Sequence, residues 1–351
     1  MRSFLTSVGV LTVWGCSLLG CGEEAPGVPR DARDAGWRSG DGGNVVRPPE
    51  ADGSVADAGS PGADAGISGS DAGPGPGDAS AGRSDRRLYF MQGTEIWRMD
   101  LDGTDPELVF DTDENWVHDL VGDPHGGRIY WVETGEGAIR SVTYGGADRR
   151  LVAETDDPNQ GLAFDVGGRH LYWVIGSLFG DDKAGLFRAA PDGTGVTELG
   201  AVSNPSALAL DPAERRIYVG TAEGALDRVD FDGTDPTTDP LEAGRSSTVD
   251  VELDPGGGWV YWLSLRSLSG SANTISRGRL DRTATSLAVT DIEELVSGDP
   301  MRSGLPVEPQ PTEVALVVAG RSLYWAVEVG PDDYEIWRAR LDGTDPRRIF
   351  T

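Results

Sequence analysis

Three histidines, His118, His125 and His170, are the only imidazoles in the 351-residue chain, and their spacing pairs none of them as a metal site requires. Cys16 and Cys21, both near the N-terminus, are the only thiols, and no Gly-x-Ser-x-Gly elbow occurs. Nucleophilic catalysis therefore has no evident starting group. Carboxylates are the abundant chemistry: 58 acids against 30 bases give a net charge of −28. Acid–base work needs two acids in a shared site, and at this density coincidental pairs are expected. Asp123, Asp165, Asp211 and Asp254 stand out because each precedes a tyrosine by seven residues. They read as turn caps accepting backbone N–H groups, the alternative being a carboxylate ring at a central channel that holds Ca²⁺. Apart from that alternative, no cofactor is expected.

The charge is uneven. Residues 22–85 carry −7 and Arg2 +1, leaving −22 on residues 86–351. So acidic a domain repels phosphate backbones, which excludes nucleic acid as a partner class. The N-terminus has one positive charge at Arg2 and an apolar run from Phe4 to Leu19, short for a membrane span. It ends in Leu18-Leu19-Gly20-Cys21, which is similar to the cleavage box of bacterial lipoproteins. Residues 1–20 are then a signal peptide and Cys21 the lipid-bearing N-terminus. Gly22-Glu23-Glu24 lacks the aspartate that retains such proteins at the inner membrane, so the expected location is the outer membrane, periplasmic or surface-exposed. With Cys21 lipidated, no disulfide is expected.

Residues 21–85 form a lipid-anchored tether. Asp-Ala-Gly or Asp-Ala-Ser recurs at Asp57, Asp64, Asp71 and Asp78 without apolar residues to build a helical seam. Too little burial is available to offset ordering entropy, so the sequence predicts disorder and a reach of roughly 40–50 Å.

Residues 86–351 repeat. Tyr89, Tyr130, Tyr172, Tyr218, Tyr261 and Tyr324 sit in short aromatic strands such as IYW and LYW. A following strand carries Arg98, Arg140, Arg188, Arg228, Arg277 or Arg338, then a turn such as DGTD at 102 or 342. Asp-Gly between extended runs signals a hairpin. Before five of the six aromatic strands lies a strand apolar on nearly every residue, as expected when both faces are buried. Four strands repeated six times predict an all-β fold, a six-bladed β-propeller with antiparallel blades. The pattern resembles the YWTD repeat of the low-density lipoprotein receptor class, whose six repeats form such a propeller. Two departures are visible. Only Glu133 supplies an acid at the last YWTD position, and Val317 stands where other repeats have aspartate.

Tyr-Trp pairs, including Trp131, Trp173, Trp262 and Trp325, are expected between blades, and the arginines as structural bridges. Function is expected where the repeats differ, in the loops entering the first strand and joining the second to the third. Asp113, Trp116, Asp157, Asn159, Phe179, Asp181, Asp182 and Asn204 form the expected ligand-binding face. The resemblance implies docking of protein ligands there, through basic groups. A non-catalytic module that binds a protein or envelope component is the expected function; the rival is a Ca²⁺-dependent hydrolase or lactonase with channel carboxylates. The first repeat opens at Tyr89 with no apolar strand before it. A three-stranded first blade is expected, or one completed by Asn44-Val45-Val46-Arg47. A full inner strand built from anywhere else would place the repeat phasing in error.

Overall fold

In the computed structural model the described residues are 12–14 and, with interruptions in connecting loops, 87–351. The described strands group into six four-stranded antiparallel sheets. Blade 1 contains β1 (Thr12–Trp14), β2 (Arg87–Gln92), β3 (Glu95–Asp100) and β4 (Glu107–Asp111); blade 2 contains β5 (Val117–Asp123), β6 (Arg128–Glu133), β7 (Ala138–Thr143) and β8 (Arg150–Glu154). Blade 3 has β9 (Asn159–Asp165), β10 (His170–Ile175), β11 (Gly185–Ala189) and β12 (Thr197–Gly200); blade 4 has β13 (Pro205–Asp211), β14 (Arg216–Thr221), β15 (Leu226–Asp230) and β16 (Thr237–Asp239). β17 (Thr248–Asp254), β18 (Trp259–Ser264), β19 (Thr274–Leu280) and β20 (Val289–Ser297) form blade 5. β21 (Leu316–Ala319), β22 (Ser322–Gly330), β23 (Asp333–Arg340) and β24 (Arg347–Phe350) form blade 6. The inner strands β1, β5, β9, β13, β17 and β21 touch in that order and β21 touches β1, so the ring closes. Among the described residues no helix is long and apolar enough to cross a membrane.

Six cores, one at each blade boundary, hold the ring. Tyr172 packs with Leu208 and Phe231 between blades 3 and 4, and Tyr261 with Leu323 and Trp325 between blades 5 and 6. The alternation explains this: Tyr and Trp are adjacent on a strand, so one serves each face. All six tyrosines are buried. At the closing boundary Leu88, Phe90 and Met99 pack with Tyr324 and Ile336, and the Tyr324 hydroxyl donates to the Leu101 carbonyl at 3.4 Å. Tyr261 makes the same bond to Leu341 at 3.2 Å. The first and last blades are neighbours.

Register corrects three sequence expectations. Blade 1 takes its inner strand from Thr12–Trp14, within the segment assigned to the signal peptide, while residues 44–47 lie outside those described. The repeat phasing nevertheless holds in every blade. Arg140 is one residue out of step. Five tyrosines pair with the repeat arginine, but Tyr130 pairs with Ser141, because the Tyr144-Gly145-Gly146 turn is shifted against Asp-Gly-Thr. Finally, the counterpart of the repeat aspartate in blade 6 is Ala319 rather than Val317, since its turn is shorter; Val317 pairs with Tyr324.

Four of the five arginines in register bridge blades. Arg98 donates to the Tyr144 carbonyl at 3.1 Å, Arg188 to Phe231 at 3.1 Å, and Arg277 to Leu341 at 2.8 Å. Arg228, buried, donates to Ala284 and Thr285 at 3.0 and 2.8 Å. Each reaches into the turn between the third and fourth strands of the next blade. Arg338 instead donates to Ser322 Oγ of its own blade, at 3.0 and 2.9 Å.

Candidate binding face and acidic channel

Inner strands begin at the face formed by the irregular loops. Backbone bonds tie those loops to the turns between second and third strands: Thr112 N–H to the Thr94 carbonyl at 2.9 Å, and Ala222 N–H to Asn204 at 3.0 Å. Asp113 is exposed in the left-handed conformation (φ 70°), its N–H donating to Asp111 Oδ1 at 2.9 Å. Asn204, at φ 46°, donates from Nδ2 to Glu223 Oε1 at 3.0 Å. Asn159 opens β9 opposite Ile175. These three backbone positions lie at the loop face. Trp116, Asp157, Phe179, Asp181, Asp182 and Cys21 are outside the described residues.

The four repeat aspartates are at the other ends of the inner strands. Asp123 accepts from His125 and Gly126 N–H, Asp165 from Gly167 and Gly168, and Asp211 from Ala213 and Glu214, at 2.8–3.2 Å. Turn capping engages Asp123, Asp165 and Asp211 locally, and Asp123 is further bridged by Arg169 of the next blade at 2.6 and 2.9 Å. They do not form a channel ring.

A different set of acids does face the channel. In blades 2–5 a register shift interrupts the inner ladder near the loop face, as between Val117 and Asp119 and between Thr248 and Asp250. Bulges of this kind re-aim side chains. The residue just inside the shift is Asp119 in blade 2, Gly161 in blade 3, Ala207 in blade 4 and Asp250 in blade 5. Two residues further in, opposite the repeat tyrosine, stand Val121, Ala163, Ala209, Glu252 and Val317. Blades 2 and 5 are three steps apart in a ring of six, so Asp119 confronts Asp250 and Glu252 across the channel. Part of each side chain remains accessible, yet the surrounding walls desolvate them. Burial pushes the Asp119 carboxyl well above its ordinary range, and Asp250 adds repulsion. Glu252 is likewise raised well above its usual value by burial first, then by Asp250 and Asp119. Asp119 Oδ2 also accepts the Leu162 N–H of blade 3 at 2.6 Å.

Sequence reasoning passed over this trio, although acids inside otherwise apolar inner strands were a visible signal. Among the described residues no three His, Cys, Asp or Glu side chains are grouped to hold a metal ion. Their mutual repulsion couples the three carboxylates electrostatically.

That coupling makes a pH prediction. Because folding raises the pKa of Asp119 and Glu252, the folded state binds more protons than the unfolded one just above the ordinary carboxylate range. Their penalty is absent below the unfolded pKa of about 4 and grows as pH rises through the folded values. Asp250→Asn removes a repulsive cause acting on both while retaining an oxygen for the Val251 N–H. It should stabilise the fold at pH 7, by on the order of 1 kcal/mol, the scale of one relieved pKa unit. Urea titrations should show the gain shrinking towards pH 4; a gain independent of pH refutes the assignment.

Six antiparallel blades, four with Tyr-Trp strands and four with Asp-Gly turns, make a six-bladed β-propeller whose repeats are similar to the YWTD repeat. The chain is 38% identical over 80 residues to low-density lipoprotein receptor-related protein 5 of Mus musculus, and 35% identical over 91 residues to that of Homo sapiens. Those stretches are 23% and 25% of this chain but only 5% and 6% of the relatives' length. In fold it is similar to a chain in the crystal structure of a nidogen/laminin complex, with a TM-score of 0.58 and 17% identity over 76% of this chain and 93% of that one. TolB from Acinetobacter baumannii gives 0.55 and 15% identity, over 73% of this chain and 61% of that one. No family model matches.

Proposed function

We propose that the protein is an outer-membrane lipoprotein, anchored through Cys21, whose propeller is a non-catalytic module binding a basic protein or envelope component at its loop face. The observation that carries this reading is the acid trio, with Asp119 and Asp250 at the loop end of the inner strands and Glu252 two residues deeper. Asp119, Asp250 and Glu252 repel one another, and a cationic ligand group at the mouth relieves that repulsion. Exposed Asp113 adds the same sign at that face, and the sequence puts three further acids, Asp157, Asp181 and Asp182, in the irregular segments. The partnered state of the propeller in a nidogen/laminin complex is consistent with protein docking. For the anchor, support comes from the Leu18-Leu19-Gly20-Cys21 box.

Cross-linking on intact cells, then purification of the protein, tests the docking. The native chain should capture a partner with a basic surface, in a salt-sensitive manner. Asp181→Lys/Asp182→Lys should reduce capture at least tenfold. Equal capture by both forms removes the acidic face from the mechanism, and no capture by either defeats the binding reading.

A further inference from the structure

β1 is the anomalous strand of the ring. It pairs only Thr12 with Tyr89, Val13 with Leu88 and Trp14 with Arg87, whereas β5, β9, β13 and β17 each span seven residues. It is also not a hairpin neighbour: 72 residues separate Trp14 from Arg87, so the edge of β2 receives this segment as a separate piece. The inner strands of the other blades show what the edge accepts. Opposite the counterpart of Leu88 they present Gly122, Phe164, Leu210, Leu253 and Val318, with Val13 at this position in blade 1. Opposite the tyrosine they place Val121, Ala163, Ala209, Glu252 and Val317, with Thr12 in blade 1. Leu88 and Tyr89 are themselves buried, and β1 touches both β5 and β21.

We propose that the inner edge of β2, along Arg87–Tyr89, is a strand-accepting seat that takes an extended apolar segment of a partner protein after the leader carrying β1 has been removed. The inference rests on the lipoprotein reading, because cleavage before Cys21 removes Thr12–Trp14 and leaves the edge without its occupant. The partner strand runs antiparallel to β2, placing an apolar side chain such as valine or leucine opposite Leu88 and, as in four of the five other blades, a small or β-branched one opposite Tyr89. Main-chain bonds supply the affinity and these two positions the selectivity, as in strand addition generally. A second mature copy cannot be the donor of the β1 sequence, since it too lacks residues 12–14.

The test uses the processed protein in detergent and a synthetic peptide of residues 9–16 carrying Cys16→Ser. Intact mass is read first. A chain beginning at Met1 overturns the lipoprotein reading, and the vacancy with it. For a chain beginning at Cys21, saturable peptide binding and at least tenfold slower hydrogen exchange at residues 87–89 are expected. A Val13→Asp peptide should bind at least tenfold more weakly. The proposal is overturned, with the lipoprotein reading intact, by absence of binding or by equal binding of both peptides. Protection at residues 87–89 before any peptide is added also overturns it, since the seat is then filled from within the chain.

Discussion

Gly233→Ala should lower the stability of the propeller by about 2–5 kcal/mol, far more than an alanine at Gly127. Both glycines have positive φ, +85° and +65°, so both substitutions carry a left-handed cost of about 1–2 kcal/mol. They differ in surroundings. A methyl on Gly127 meets nothing within 4 Å, whereas on Gly233 it would lie inside the van der Waals radius of the Leu199 carbonyl oxygen in blade 3. Because the obstacle is backbone, the blades must part, adding about 1–3 kcal/mol of overpacking. In a domain of this size each kcal/mol corresponds to roughly 2–4 °C in Tm, so calorimetry separates the two variants easily. Equal losses would mean that only φ matters.

The same geometry recurs around the ring. Gly103 abuts Ile349, Gly146 abuts Val109 and Gly193 abuts Val152, each against the outermost strand of the preceding blade. The Asp-Gly-Thr turn thus has two functions. Its aspartate accepts from the threonine two residues on, as Asp232 does from the Thr234 N–H at 3.1 Å and from its hydroxyl, and its glycine lets neighbouring blades approach. The sequence marks the hairpin through local φ preference, but the interblade approach depends on residues about 35–40 positions away in most blades and has no local mark.

That distinction explains what was legible. The propeller could be read because each blade writes its own strands, turn and aromatic pair in one contiguous unit, and six copies reinforce the pattern. The loop face followed from the direction of the strands. The channel trio was hidden because Asp119 and Asp250 are 131 positions apart and meet only when the ring closes. Arg140 and Val317 were misplaced because turns of different length shift the register, and counting residues from a tyrosine cannot detect that. β1 was unreadable for a further reason: a three-residue strand inside an apolar leader has no periodicity of its own.

Glu133, the one acid left at the end of a YWTD-like strand, supports the second large prediction. Its fully buried carboxylate accepts from Trp131 Nε1 at 3.1 Å, Arg140 Nε at 2.5 Å and Arg149 Nη2 at 2.8 Å. Arg149 also stacks over Phe110 of blade 1, whose ring packs against Trp131. One acid therefore orders an indole, two guanidiniums and a blade boundary. Glu133→Ala strands the buried indole N–H and leaves both arginines without this anion. Breaking a buried pair costs about 3–5 kcal/mol, and because both arginines can still reach water, about 3 kcal/mol is expected. Glu335 accepts from Trp337 Nε1 at 3.0 Å and is bridged by Arg348, but that arginine is more than half exposed. Glu335 is buried as well but holds a single, hydrated guanidinium, so Glu335→Ala should cost about 1–2 kcal/mol, mostly for the unmet Trp337 N–H. Urea midpoints with unchanged m-values would measure both. If the two losses are equal, the second guanidinium does not set the cost, and Glu133 matters only as an acceptor for the indole N–H.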